Sequence, residues 1–92
     1  MTDKVSRQLQ IVNEKGLHAR AAAKLVEVVE GFDANVEVAV DGQSASGDSI
    51  MGLLMLAAAK GTIIDVEIAG SDAEPLADAI AALVAARFGE DM

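Results

Sequence analysis

Two short runs decide what this chain can become. Val36, Val38 and Val40 alternate with Glu37 and Ala39, and Ile64, Val66 and Ile68 alternate with Asp65 and Glu67. A period of two puts every apolar side chain of such a run on one face, so each strand has a dry side and a wet side. The stretch from Val5 to Val12 repeats the pattern, with Val5, Leu9 and Ile11 of one parity and Ser6, Gln8 and Gln10 of the other. Strands of this kind call for an antiparallel sheet with one solvated face and one face covered by helices. Asp41-Gly42 is a tight-turn pair that folds the second run back onto Gln43 to Ser46.

The segments between the strands carry the helical period. From about Ala19 to Glu30, Ala22, Leu25, Val26 and Val29 form one stripe, and Gly31 ends the helix. Ser49 or Asp48 caps a short second helix through Leu56. A third begins near Asp72, with Pro75 tolerated in its first turn, and runs to about Arg87 on a stripe of Ala73, Leu76, Ile80, Leu83 and Val84. Glu90-Asp91-Met92 reads as a frayed tail. The order is β-α-β-β-α-β-α, an α+β fold of two layers, and the whole chain, residues 1–92, is expected to be one domain.

Composition narrows the function. Fifteen acidic against seven basic residues give a formal charge of −8, which repels nucleic acid. Two phenylalanines are the only aromatic residues, too few for a stacking surface. With no cysteine and one histidine, a metal site would have to be built from carboxylates on wet faces, so no metal and no cofactor are expected. No apolar run is long enough to cross a bilayer, and Met1-Thr2-Asp3-Lys4 leads into a polar strand without the apolar stretch of a signal peptide. The expected compartment is the cytoplasm.

The one histidine, His18, falls where a helix begins. Gly16 allows the chain to turn there and Ala19 to Ala23 are strong helix formers. The first amides of a helix lack intrahelical acceptors and the macrodipole is positive at that end, so a phosphoryl group on His18 would meet donors, with the Arg20 guanidinium beside them. A nucleophile, base and orienting group for hydrolysis are not found near His18 in sequence, which points to a carrier and away from an enzyme.

Gly16-Leu17-His18-Ala19-Arg20, followed about thirty residues later by Ser49-Ile50-Met51-Gly52, resembles HPr, the histidine-containing phosphocarrier family of the phosphotransferase system. The resemblance runs from Val5 to about Phe88, with one departure: Ala21 stands where most of the family has proline. It implies an open-faced β-sandwich, a four-stranded antiparallel sheet with three helices on one face. It also implies that His18 accepts a phosphoryl group on Nδ1, from phosphoenolpyruvate through enzyme I, and passes it to a histidine of an enzyme IIA, with Arg20 as the phosphoryl clamp. Ser49 would be the regulatory site of an HPr kinase/phosphorylase. Ile50, Met51 and Leu54, with a rim of Ala19, Ala22 and Ala23, would meet partners, flexible Met51 and Met55 suit such a patch, and a free docking face implies a monomer. Ala21 and Met55-Leu56-Ala57-Ala58-Ala59 look more like the nitrogen-related branch than the sugar-uptake branch. Two other readings compete. Asp48-Ser49-Ile50 resembles the phosphopantetheine site of acyl carrier proteins, which are helical bundles; a small α+β interaction module without covalent chemistry is the other.

Overall fold

Alternation along the strands sets the architecture of the computed structural model, which describes residues 4–92, leaving the expected start of the domain at residue 1 outside the described residues. The strands are β1 (Lys4–Gln10), β2 (Asn35–Val40), β3 (Gln43–Ser46) and β4 (Ile63–Ala69); the helices are α1 (Ala19–Glu30), α2 (Ile50–Met55) and α3 (Ala73–Ala85), followed by a 3-10 turn at Arg87–Gly89. They form one four-stranded sheet in the order β1-β4-β2-β3, with every neighbouring pair antiparallel.

Register keeps the dry residues together. Val5 pairs with Ile68 and Leu9 with Ile64 across β1 and β4, while Val36 and Val38 pair with Ile68 and Val66 across β2 and β4. Val36, Val38, Val40, Ile64, Val66 and Ile68 are all buried, against Glu37, Asp65 and Glu67 exposed on the other face. Each such burial contributes about 1.5–3 kcal/mol, so a one-residue slip that turned these chains outward would be far too costly. Asp41 and Gly42 both take positive φ, 50° and 83°, as a two-residue hairpin turn requires.

From the helices come Leu25, Val29, Leu53, Leu76, Ile80 and Val84, which close the core over the dry face. Arg7 shares the inward parity of β1 but lies at the sheet edge, where its guanidinium reaches Glu74 of α3 at 3.2 Å. Boundaries differ slightly from the sequence pattern. β1 ends at Gln10, α2 at Met55 and α3 at Ala85. The last has a clear cause: Arg87 and Phe88 take positive φ, 58° and 54°, which ends the helix and turns Phe88 inward to become fully buried.

Candidate functional site

The loop before α1 is held by its backbone. Gly16 has φ 65°, and a Cβ there would come within 2.5 Å of the Ala58 carbonyl oxygen, so the β1–α1 loop lies flat on the segment after α2. Leu17 N–H donates to that same oxygen at 2.8 Å. The next residue, His18, is the N-cap of α1 with extended backbone, φ −81° and ψ −178°, and its carbonyl accepts the first helical bond from Ala22 N–H at 2.8 Å. Its imidazole makes no capping bond. The amides of Ala19, Arg20 and Ala21 therefore point out of the helix without intrahelical acceptors, beside a ring that remains 26% exposed.

Arg20 is exposed and forms no ion pair among the described residues. With Lys15, Lys24 and Glu90 it lines a cavity of about 300 Å³ between the start of α1 and the C-terminal tail. Ala21 is fully buried in the first turn. Because its amide serves no helical bond, Ala21→Pro is expected to raise stability by about 0.4–1 kcal/mol through the unfolded chain. Thermal melting checks this; a lowered melting temperature would show that the buried site has no room for the ring.

Ser49 is the N-cap of α2, its Oγ accepting from Gly52 N–H at 3.0 Å, while Asp48 accepts from Ser46 Oγ. Beyond it Ile50, Met51 and Met55 are 40%, 71% and 75% exposed, whereas Leu53 and Leu56 are core. Leu54 is only half-exposed and packs on the core, so the exposed apolar surface is carried by Ile50, Met51 and Met55. Ala19 and Ala23 are exposed on α1, which packs against α2; Ala22, expected on the same rim, faces the core and is fully buried.

The tail corrects the sequence reading most sharply. Glu90 is not frayed: its Oε2 meets His18 Nε2, and its Oε1 accepts from Asn13 Nδ2 at 2.9 Å. Asn13, fully buried, also donates to the Gly16 carbonyl at 2.8 Å. Phe88 anchors this tail in the core, and Lys24 Nζ donates to its carbonyl at 2.7 Å. Neither Asn13 nor Glu90 stands out in sequence, the first resembling a turn residue and the second lying 72 positions from His18. The signal available was Phe88, an aromatic residue just beyond the last helical stripe.

Bonding to Asn13, and then to His18, holds the Glu90 carboxyl below the usual carboxylate range against the opposing effect of burial. A depressed folded value means that its stabilising contribution is complete above the ordinary carboxylate pKa and is lost as pH falls through the lowered value. Acidification below about pH 4 should therefore release the tail before the domain unfolds. Amide exchange at Gly89 and Glu90 reads this; protection unchanged down to global unfolding would show that the carboxylate does not hold the tail.

Against known proteins, the PTS-HPr family model, described as the PTS HPr component phosphorylation site, matches residues 5–86. The chain belongs to the HPr family of phosphotransferase-system phosphocarriers. It is 42% identical over 86 residues to the phosphocarrier protein HPr of Cupriavidus necator, covering 94% of this chain and 97% of that one. It is 45% identical over 87 residues to the phosphocarrier protein NPr of Shewanella violacea, covering 95% and 96%. Among solved structures, HPr-C-His from Thermoanaerobacter tengcongensis matches with a TM-score of 0.91 at 31% identity over 96% of this chain and 99% of that one. The HPr fold excludes the acyl-carrier alternative on Ser49, because a four-stranded sheet stands where that reading needs a helical bundle. Membership likewise replaces the reading as an interaction module without covalent chemistry. Among the described residues no helix is long and apolar enough to cross a membrane.

Proposed function

We propose that His18 is the phosphoryl acceptor of this HPr-family carrier, charged from phosphoenolpyruvate through enzyme I and discharged to a histidine of an enzyme IIA. The observation that carries this reading is the ring of the one histidine at an open helix N-terminus, with Arg20, exposed and in no ion pair among the described residues, on the same turn. The helix end contributes about 0.3–1 kcal/mol toward an anion and a charge-assisted bond from Arg20 about 1.5–3 kcal/mol. Those values orient a phosphoryl group but fall well short of the ~8–23 kcal/mol by which enzymes lower barriers. Partners therefore supply most of the catalysis, and the chain acts as a carrier in the cytoplasm, a monomer of one domain with its docking face free.

The docking face is the exposed apolar surface of Ile50, Met51 and Met55 with the edge of Leu54, rimmed by Ala19 and Ala23. Mobile methionines suit a surface that must fit more than one partner. Incubation with phosphoenolpyruvate, magnesium and enzyme I should add one acid-labile, base-stable phosphoryl group; no uptake overturns the reading. Transfer onward to enzyme IIA proteins of each branch tests the nitrogen-related assignment.

Ser49 sits at the edge of this face, where an HPr kinase/phosphorylase would act. A phosphate on the N-cap lies at the positive end of α2, so folding should tolerate it, while its charge of about −1.5 to −2 enters the docking surface. Ser49→Asp is expected to slow charging of His18 by up to about fivefold, since an exposed charge interaction contributes no more than about 1 kcal/mol. Ser49→Ala should charge normally and lose about 1 kcal/mol of stability with the cap. Equal charging rates for wild type and Ser49→Asp would leave Ser49 a cap alone.

A further inference from the structure

We propose that Asn13 and Glu90 form a positioning pair for His18: the buried amide holds one carboxylate oxygen so that the other takes the hydrogen on Nε2 and leaves the Nδ1 lone pair as nucleophile. The inference deepens the reading of His18 as acceptor and rests on it.

The geometry runs in one direction. Asn13 is fully buried and its Nδ2 bridges two oxygens, the Gly16 carbonyl at 2.8 Å and Glu90 Oε1 at 2.9 Å. This ties the carboxylate to the same loop that carries His18. Lys24 on the Phe88 carbonyl at 2.7 Å and the fully buried Phe88 ring fix the tail from the other side. Glu90 thus reaches His18 from a docked strap, its side chain only 13% exposed. An ionised carboxylate accepts hydrogen bonds and donates none, so the ring nitrogen it faces, Nε2, must carry the hydrogen. The bonds from Asn13 and His18 favour that ionised form.

The consequence for transfer follows from electron counting. Nδ1 gives its lone pair to phosphorus; the bond from phosphorus to the donor's leaving group breaks, and the leaving group keeps that pair. No proton leaves His18. The ring acquires positive charge as the Nδ1–P bond forms, and the Glu90 carboxylate already stands against Nε2–H to offset it. On the return step the same carboxylate steadies the ring as Nδ1 recovers its lone pair. Glu90 never touches the phosphoryl group, which makes it a positioning residue, acting as carboxylates do behind catalytic and metal-binding imidazoles.

The test uses the full chain, with Glu90→Ala and Glu90→Gln compared well below their melting temperatures. Nitrogen-15 shifts of the His18 ring, read above neutral pH without any partner, should show a single Nε2–H tautomer in the wild type and a mixture in Glu90→Ala. Under saturating enzyme I the charging rate of Glu90→Ala should fall about tenfold, the lower end of what losing an orienting partner of a histidine costs, with the KM for enzyme I little changed. Glu90→Gln offers one oxygen where the carboxylate offers two, so it cannot accept from both Asn13 Nδ2 and His18 Nε2–H and should lose the single tautomer and charge slowly, as Glu90→Ala does. A mixed tautomer in the wild type, or wild-type charging by Glu90→Ala, overturns the proposal. A wild-type chain that takes up no phosphoryl group at all would instead fail the acceptor reading, and the ring spectra would still decide the role of Glu90.

Discussion

Replacing His18 by alanine should abolish acid-labile phosphoryl uptake and lower the melting temperature without unfolding the protein. Both halves follow from where the ring sits. It is the only imidazole in the chain, so no other side chain can form a phosphohistidine. It caps no amide of α1 and belongs to no core cluster; among the described residues its one side-chain bond is to Glu90. Removing it deletes one hydrogen bond to an ionised carboxylate, about 1.5–3 kcal/mol, and the contacts of a ring that is only 26% exposed. Mass measurement after incubation with phosphoenolpyruvate, magnesium and enzyme I reads the first half, and thermal melting the second. Persistent labelling of His18→Ala would place the acceptor on another residue and overturn the reading of the site. Loss of folding would instead show that the ring supports the tail more than its contacts indicate.

Much of this could be read from the residues because the governing interactions are local. Alternation in β2 and β4 is set by residues two apart, and the Asp41-Gly42 turn by two adjacent backbone conformations. The N-cap positions of His18 and Ser49 depend on the few residues that follow them, and the structure places both at helix starts. Strand order was not legible in the pattern, since an amphipathic strand looks the same at an edge and at the centre. It entered through the family resemblance. Nor did the pattern show that Leu54 is half-covered: on a helix of six residues it faces near a boundary, and packing against the core decides its exposure.

The tail was misread for a different physical reason. Asp91 and Met92 are exposed, and Glu90 looks like part of the same run. What docks it is a nonlocal set of contacts, Phe88 in the core, Lys24 on its carbonyl and Asn13 on the carboxylate, contributed by segments far apart in the chain. No window of residues around Glu90 contains that information. The positive φ at both Arg87 and Phe88 is also hidden in the letters, because residues with a Cβ rarely adopt it and neither is asparagine or glycine. Docking of the ring is the gain that offsets this backbone cost.

That balance makes Phe88→Ala a severely damaging change. Phe88 is the largest of the fully buried side chains, and truncating a buried phenylalanine to alanine costs about 3–5 kcal/mol. A domain of this length has a total stability of roughly 5–14 kcal/mol, so the loss is a large fraction of the whole. Melting temperature should fall by at least about 12 °C. The effect should also be directional. With no ring to anchor it, the tail gives up its left-handed turn, the Lys24 bond to the Phe88 carbonyl loses its acceptor position, and Glu90 is no longer delivered to Asn13 and His18. At a temperature where the variant is still folded, amides of Gly89 and Glu90 should exchange freely while those of β4 remain protected, and charging of His18 should slow as expected for Glu90→Ala. Phe88→Leu, which keeps most of the buried volume, should recover most of the stability and of the charging rate. Wild-type melting by Phe88→Ala would mean that the ring is not docked in solution, and the strap behind His18 would go with it.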